Sequence, residues 1–161
     1  MLNLIKPSIA RAAALTLGLG ATTTLADASF AQEAETRAAS EYELSTAVAI
    51  ASRQWRDAFN AGDAAGAAAM YEEDAIMVAE PFGTFEGREA IEAFWTQLIE
   101  DGFDDIVYAN TTTVVSHDLT TAEVSASWRM NNAHGVITRE LWALQSDGIA
   151  LLREDHFEVA Q

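Results

Sequence analysis

After Gly102 the hydrophobic period of the chain changes from 3.6 to 2 and stays there. Few folds accommodate that change. Before it, Leu44, Val48, Ser52, Trp55 and Phe59 recur every three or four residues and share one face of a helix predicted to run from Tyr42 to Gly62. Gly62 ends that helix, and Asp63 suits the N-cap of a short one containing Ala67 to Tyr71. Asp74 to Ala79 is predicted as a short strand running into Glu80-Pro81 and a glycine-punctuated loop. Arg88 to Glu100 follows as a helix with Ile91, Phe94, Trp95 and Leu98 on its buried side. After Gly102, strands are predicted at Ile106 to Ser116, Ala122 to Met130, Val136 to Gln145 and Ile149 to Glu158. Three helices followed by a four-stranded antiparallel meander make an α+β domain.

With 161 residues, half of them hydrophobic, the chain can bury one core without covalent staples. It contains no cysteine, which excludes disulfides, thiolate metal sites and a cysteine nucleophile. Residues 1–31 read as a secretory signal peptide. Lys6 and Arg11 form the basic flank, Ala12 to Ala26 the uncharged stretch, and Ser29-Phe30-Ala31 a small-residue cleavage site, with Ala26 and Ala28 as other cut points. The expected location is therefore periplasmic or secreted. Residues 32–42 are predicted to be a disordered lead-in, and 43–161 to form the domain. Cleavage near Ala31 removes two of the 9 basic and one of the 25 acidic residues, leaving a lysine-free chain of net charge −17. Such a surface repels phosphates and anionic lipid, so nucleic acid and membranes are poor partners.

Several residues carry chemistry. Glu80 is a lone carboxylate at a strand end beside three apolar helix faces, where a carboxyl can hold or move a proton near neutral pH. The alternative is a solvated carboxylate turned outward by Pro81. Glu140 shares strand parity with Val136, Thr138, Trp142 and Leu144, an apolar face on which an acid must be protonated, hydrogen-bonded or paired, with Arg129 and Arg139 as available partners. His156 alternates with Leu152 and Glu154, and either shuttles a proton or closes the sheet against the first helix. Glu80, Glu140, Glu154 and His156 lack the tight spacing of a metal site, so no metal is expected. Trp55, Phe82, Trp95, Trp128 and Trp142, with Glu154, are the expected pocket residues among a set of aromatics that otherwise fill the core.

Phe59-Asn60-Ala61-Gly62-Asp63, Tyr71-Glu72-Glu73-Asp74-Ala75, Glu80-Pro81, Gly87-Arg88-Glu89-Ala90-Ile91 and Arg153-Glu154-Asp155-His156-Phe157 together resemble the nuclear transport factor 2-like superfamily, in particular its ketosteroid isomerase-like and SnoaL-like polyketide cyclase-like members. The resemblance covers about residues 43 to 158. It implies a strongly curved mixed or antiparallel sheet wrapped around three helices as a cystatin-like cone, with an apolar internal pocket and commonly a homodimer. It also implies cofactor-free chemistry on a small, largely apolar carbonyl compound: isomerisation, cyclisation or dehydration through an enolate. Glu80-Pro81 takes the place of the ketosteroid isomerase base, an aspartate before a proline, and Glu140 that of its second pocket acid. Trp55 stands where those enzymes carry the oxyanion tyrosine, and an indole N–H can donate a hydrogen bond in its stead.

Carbonic anhydrase-like members of the superfamily end in a His-His-Ser-Ser-like run, where this chain has Asp155-His156-Phe157-Glu158. The Asp-Arg-Asp set of the epoxide hydrolases is not assembled by these motifs. The superfamily also contains proteins with no catalysis, so the rival expectation is a ligand-binding or dimerisation module. The enzymatic expectation requires Glu80, Glu140 and His156 to converge on one cavity.

Overall fold

A computed structural model describes residues 22–160. The chain divides by its contacts into two units, Met1–Thr36 and Arg37–Gln161. The signal peptide expected at 1–31 falls mostly outside the described residues. Its last ten residues, and the lead-in expected to be disordered at 32–42, instead belong to helix α1, Thr22–Asn60. The Ala- and Glu-rich composition of that stretch favours helix, and no Gly or Pro interrupts it. No described helix is long and apolar enough to cross a membrane.

Within the second unit, α1 buries Leu44, Val48, Ser52, Trp55 and Phe59, the predicted stripe, and Ala51 beside it. Gly62 follows the helix with φ +76°, a left-handed value that glycine takes without strain. Asp63 then caps α2, Ala64–Ala68, its Oδ1 accepting from the Gly66 N–H at 2.8 Å. The helix end is also tied down sideways. Asn60 Nδ2 donates to the Ile106 carbonyl at 3.0 Å, and its Oδ1 accepts from the Ile106 N–H at 2.7 Å. We expect Asn60→Ala to cost about 1–2 kcal/mol in urea unfolding, because it strands both backbone groups of a buried residue. An unchanged midpoint would show that water replaces the amide.

Tyr71 does not extend α2; it opens β1, Tyr71–Glu80. The expected glycine-punctuated loop contains a second strand, β2, Gly83–Glu86, paired antiparallel with β1. Helix α3 is Arg88–Glu100, burying Ile91 and Trp95. Strands β3 (Val107–Val115), β4 (Thr121–Arg129), β5 (His134–Leu144) and β6 (Ala150–Val159) form the predicted meander. Six strands therefore make one curved, mixed, unclosed sheet in the order β2-β1-β6-β5-β4-β3, with β1 parallel to β6. The core lies between its concave face and the helices.

Two one-residue bulges decide which side chains enter that core. Between β5 and β6, Leu141 pairs with Glu154 but Trp142 pairs with Leu152, so Arg153 is an extra residue on β6. Ile137 pairs with Phe157 and Arg139 with His156, so Thr138 is an extra residue on β5. Each bulge breaks period-2 alternation. On β5 the buried set is Gly135, Ile137, Glu140, Trp142 and Ala143, while Val136, Thr138 and Leu144 are exposed, which corrects the parity expected for Glu140. On β6, Leu152 is buried before the bulge, and Asp155 and Phe157 after it.

Candidate active site

The bulges bring two acids into the core side by side. Glu140 on β5 and Asp155 on β6 are register partners, 2% and 4% exposed, and are the buried acids among the described residues. Each is held by a tyrosine. Tyr71, at the start of β1, donates to Asp155 Oδ2 at 2.6 Å. Tyr108, on β3, donates to Glu140 Oε1 at 3.0 Å, and Trp142 Nε1 donates to Glu140 Oε2 at 2.8 Å. Arg56, one residue past Trp55 on α1, lies with its guanidinium carbon 4.6 Å from the centre of the Tyr108 ring.

Burial sets the charge of this group. It pushes the Glu140 carboxyl up to about 8, with the Asp155 charge adding to the rise, while hydrogen bonds from Trp142 and Tyr108 and the charge of Arg56 oppose it. Burial also lifts Asp155 to about 6 against the Tyr71 hydrogen bond. The two titrate as a pair, so near neutral pH they share one proton. Both tyrosines are held well above the ordinary phenol value, by burial first and then by the carboxylate charges, so they remain proton donors throughout.

Beside the acids is a small aromatic void of about 20 Å³, lined by Trp55, Trp95, Tyr108, Trp128, Asp155 and Phe157 among others. That is room for one water. The rings interlock. Trp55 and Trp95 meet edge-on at 5.1 Å, Trp95 stacks on Phe157 at 5.7 Å, and Trp128 meets Phe157 edge-on at 6.1 Å. The indole N–H groups of Trp55, Trp95 and Trp128 are buried without a hydrogen-bond partner among the described residues. Buried donors are normally satisfied, so three around one void mark a place for an acceptor.

The structure separates the expected residues into two sets. Trp55, Trp95 and Trp128 line the void, and Trp142 binds Glu140. Glu80, expected as the base, is exposed: β1 turns Ala75, Met77 and Ala79 inward, so Glu80 falls on the outer face with Ile76 and Val78. His156 and Glu154 also face outward, because the Arg153 bulge gives the inward positions to Asp155 and Phe157. Glu154 is ion-paired with Arg139, and His156 Nε2 is 3.7 Å from Glu154 Oε2. Phe82 is 56% exposed in the β1–β2 turn. The expected convergence of Glu80, Glu140 and His156 therefore does not occur, and only Glu140 is in the interior.

Asp155, Tyr71 and Tyr108 stand with Glu140 in the interior instead and were not anticipated. Strict alternation assigns Asp155 to the face of Arg153, so without the bulge it reads as an outward residue. The tyrosines had a usable signal. The chain contains only three, and a tyrosine at an inward strand position needs a partner for its hydroxyl.

A family model described as a SnoaL-like domain matches residues 52–153. The chain belongs to the SnoaL-like family. No curated protein matches it in sequence. Among solved structures, this SnoaL-like domain is similar to ActVI-ORFA from Streptomyces coelicolor (TM-score 0.61, 16% identity, 72% of this chain and 97% of that one). It is similar to Aln2 from a Streptomyces species (TM-score 0.62, 19% identity, 73% and 91%). A ketosteroid isomerase-like protein from Erwinia carotovora atroseptica has TM-score 0.62 and 15% identity, over 72% and 95% of the two chains. At such identities the likeness establishes the fold, and together with the family match it supports the nuclear transport factor 2-like superfamily. The chemistry has to be read from the interior of this SnoaL-like domain.

Proposed function

We propose that this SnoaL-like domain binds a small, mostly apolar carbonyl compound in its interior and moves a proton on it without a cofactor, using the acid pair Glu140–Asp155 in place of Glu80. The observation that carries this reading is the pair itself: two buried carboxyls, each oriented by a tyrosine, with Asp155 and Tyr108 lining an aromatic void whose indoles have unpartnered donors. A fold that needed only a filled core would gain nothing from burying two adjacent acids.

The roles follow from the hydrogen bonds. Tyr71 occupies Asp155 Oδ2 and leaves Oδ1 as the free basic oxygen. With Glu140 protonated, its Oε1–H donates to Tyr108 Oη, and the phenol proton turns toward the void. Asp155 takes a proton from the carbon next to the guest's carbonyl, and the electron pair moves onto the carbonyl oxygen. That oxygen accepts from Tyr108 and from an indole N–H. In a guest with a β,γ double bond the result is a dienolate, and return of the proton from Asp155 to the guest's γ-carbon completes an isomerisation. A guest larger than water enters by displacing wall side chains. Tyr108 stands on a strand that is exposed along most of its length, and the void also borders the flexible Met130.

The reaction can be watched without knowing the substrate. In D₂O at pH 7.5, 2-tetralone serves as a carbon-acid probe, and NMR follows loss of its α-protons. We expect catalysed exchange that falls at least ~100-fold in Asp155→Asn and is retained in Glu80→Gln. Equal rates in the wild type and Asp155→Asn would remove Asp155 as the base. The 20 Å³ size of the void favours a second reading, a non-catalytic module that binds or assembles. Binding of tetralone with no exchange would establish that reading.

A further inference from the structure

Arg56 is out of keeping with its surroundings. In a chain with 25 acidic and 9 basic residues, an arginine half-buried in the domain would be expected to face a carboxylate. Arg37, Arg88, Arg139 and Arg153 do so, within 4.0 Å. Arg56 has no carboxylate that close among the described residues. Its one hydrogen bond is from Nη1 to the Ser52 hydroxyl, at 2.7 Å. Of the five N–H donors a guanidinium carries, four remain without a protein acceptor.

Its position is equally specific. The guanidinium rests over Tyr108, whose ring borders the aromatic void and whose hydroxyl holds Glu140. The ring is thus shared, carrying the guanidinium on a face and lining the tryptophan interior. Ser52 is itself buried, so its hydroxyl and the guanidinium fork sit together in a partly desolvated place. There an arginine binds a carboxylate through two parallel hydrogen bonds, and more strongly than it would in open water.

We propose that Arg56, with Ser52, is a seat for the carboxylate of an amphiphilic acid whose apolar body passes the edge of the Tyr108 ring and enters among Trp55, Trp95 and Trp128, leaving the Tyr108 hydroxyl in place. This rests on the reading that the interior binds a small apolar molecule, and it narrows that molecule to an aromatic or alicyclic acid. The seat also orients the guest, because the charged end stays at Arg56 and only the uncharged end reaches Asp155.

A pair of matched probes tests it. 2-Naphthoate and 2-naphthalenemethanol share one ring system and differ in charge at the substituent. By calorimetry, the wild type is expected to bind the naphthoate about tenfold more tightly than the alcohol. In Arg56→Gln the ratio should fall to about one, and Arg56→Lys, which keeps the charge but loses the fork, should fall between. The exposed Arg53→Gln controls for net charge and should keep the wild-type ratio, and near-ultraviolet circular dichroism checks that each variant is folded. Equal affinities of the two probes for the wild type, or a preference that survives in Arg56→Gln, overturns the seat while leaving the small-molecule reading intact. Failure of both probes to bind the wild type removes the small-molecule reading, and the seat with it.

Discussion

Replacing Gly135 with alanine is expected to destabilise the domain by about 3 kcal/mol or more, lowering the melting temperature by ~10 °C. The added methyl has nowhere to go. A Cβ on Gly135 would lie far inside van der Waals contact with the Glu158 carbonyl oxygen, and 2.6 Å from Cζ2 of Trp128. Gly135 pairs with Trp128 across β4–β5 and with Val159 across β5–β6, so the methyl is trapped between a ladder and an indole. The φ of Gly135 lies outside the left-handed region, so the demand here is for space alone. Relief requires β5 and β6 to part, or Trp128 to leave the aromatic cluster it shares with Phe157. Thermal and urea unfolding of Gly135→Ala measures the cost. A midpoint within 2 °C of the wild type, against the expected ~10 °C, would show that the strands yield easily.

Changing Glu140 to glutamine is expected to abolish the pH dependence that this residue imposes on stability. Both interior acids bind protons more tightly folded than unfolded, with Glu140 raised to about 8 and Asp155 to about 6. Unfolded carboxyls release their protons near pH ~4. Between those limits the folded chain holds more protons than the unfolded one, so the contribution of the pair is fully present below pH ~4 and is lost as pH rises through about 8. Glutamine keeps the shape, accepts from the Trp142 N–H, and can donate to Tyr108, but it never ionises. The stability of Glu140→Gln relative to the wild type should therefore climb by a few kcal/mol from pH 5 to pH 8.5. Denaturant titrations at the two pH values read the difference, in which the opposing effects of surface carboxylates cancel. A difference that stays flat with pH would mean that Glu140 is already ionised in the folded domain at pH 5.

The fold was legible because its signals are local and repeated. The change of period at Gly102, the stripe from Leu44 to Phe59, the Gly62-Asp63 junction and the alternation of β4 each survive in the structure. Trp55, Trp95 and Trp128 were legible too, since large aromatics at inward positions converge wherever the sheet curves. Of the acids and phenols of the site only Glu140 was legible, and that on an alternation the structure does not keep. Asp155 was hidden by an extra residue that leaves no mark in composition, because Arg153 looks like any outward strand residue until its pairing is known. Glu80 misled for a different reason. Its place before Pro81 matches a catalytic position in sequence, but Ala75, Met77 and Ala79 are the residues of that end of β1 that face the core. Motif position and strand parity disagreed, and parity decides which side chains are dry.

Arg153 has one more consequence, concerning the length of the chain. In an unbroken strand, residue count and side-chain direction are locked together, and one residue more or fewer turns everything downstream inside out. β6 escapes that lock at a single place. Its run from Leu152 to Asp155 spends three steps where the pleat needs two, so the strand carries one residue of slack, fixed where Arg153 grips Glu72 on β1. The same ten residues thus contain two possible interiors. One presents Asp155 and Phe157, the other Glu154 and His156. Where the slack is stored determines whether the cone is lined by an acid beside a phenyl ring or by an acid beside an imidazole.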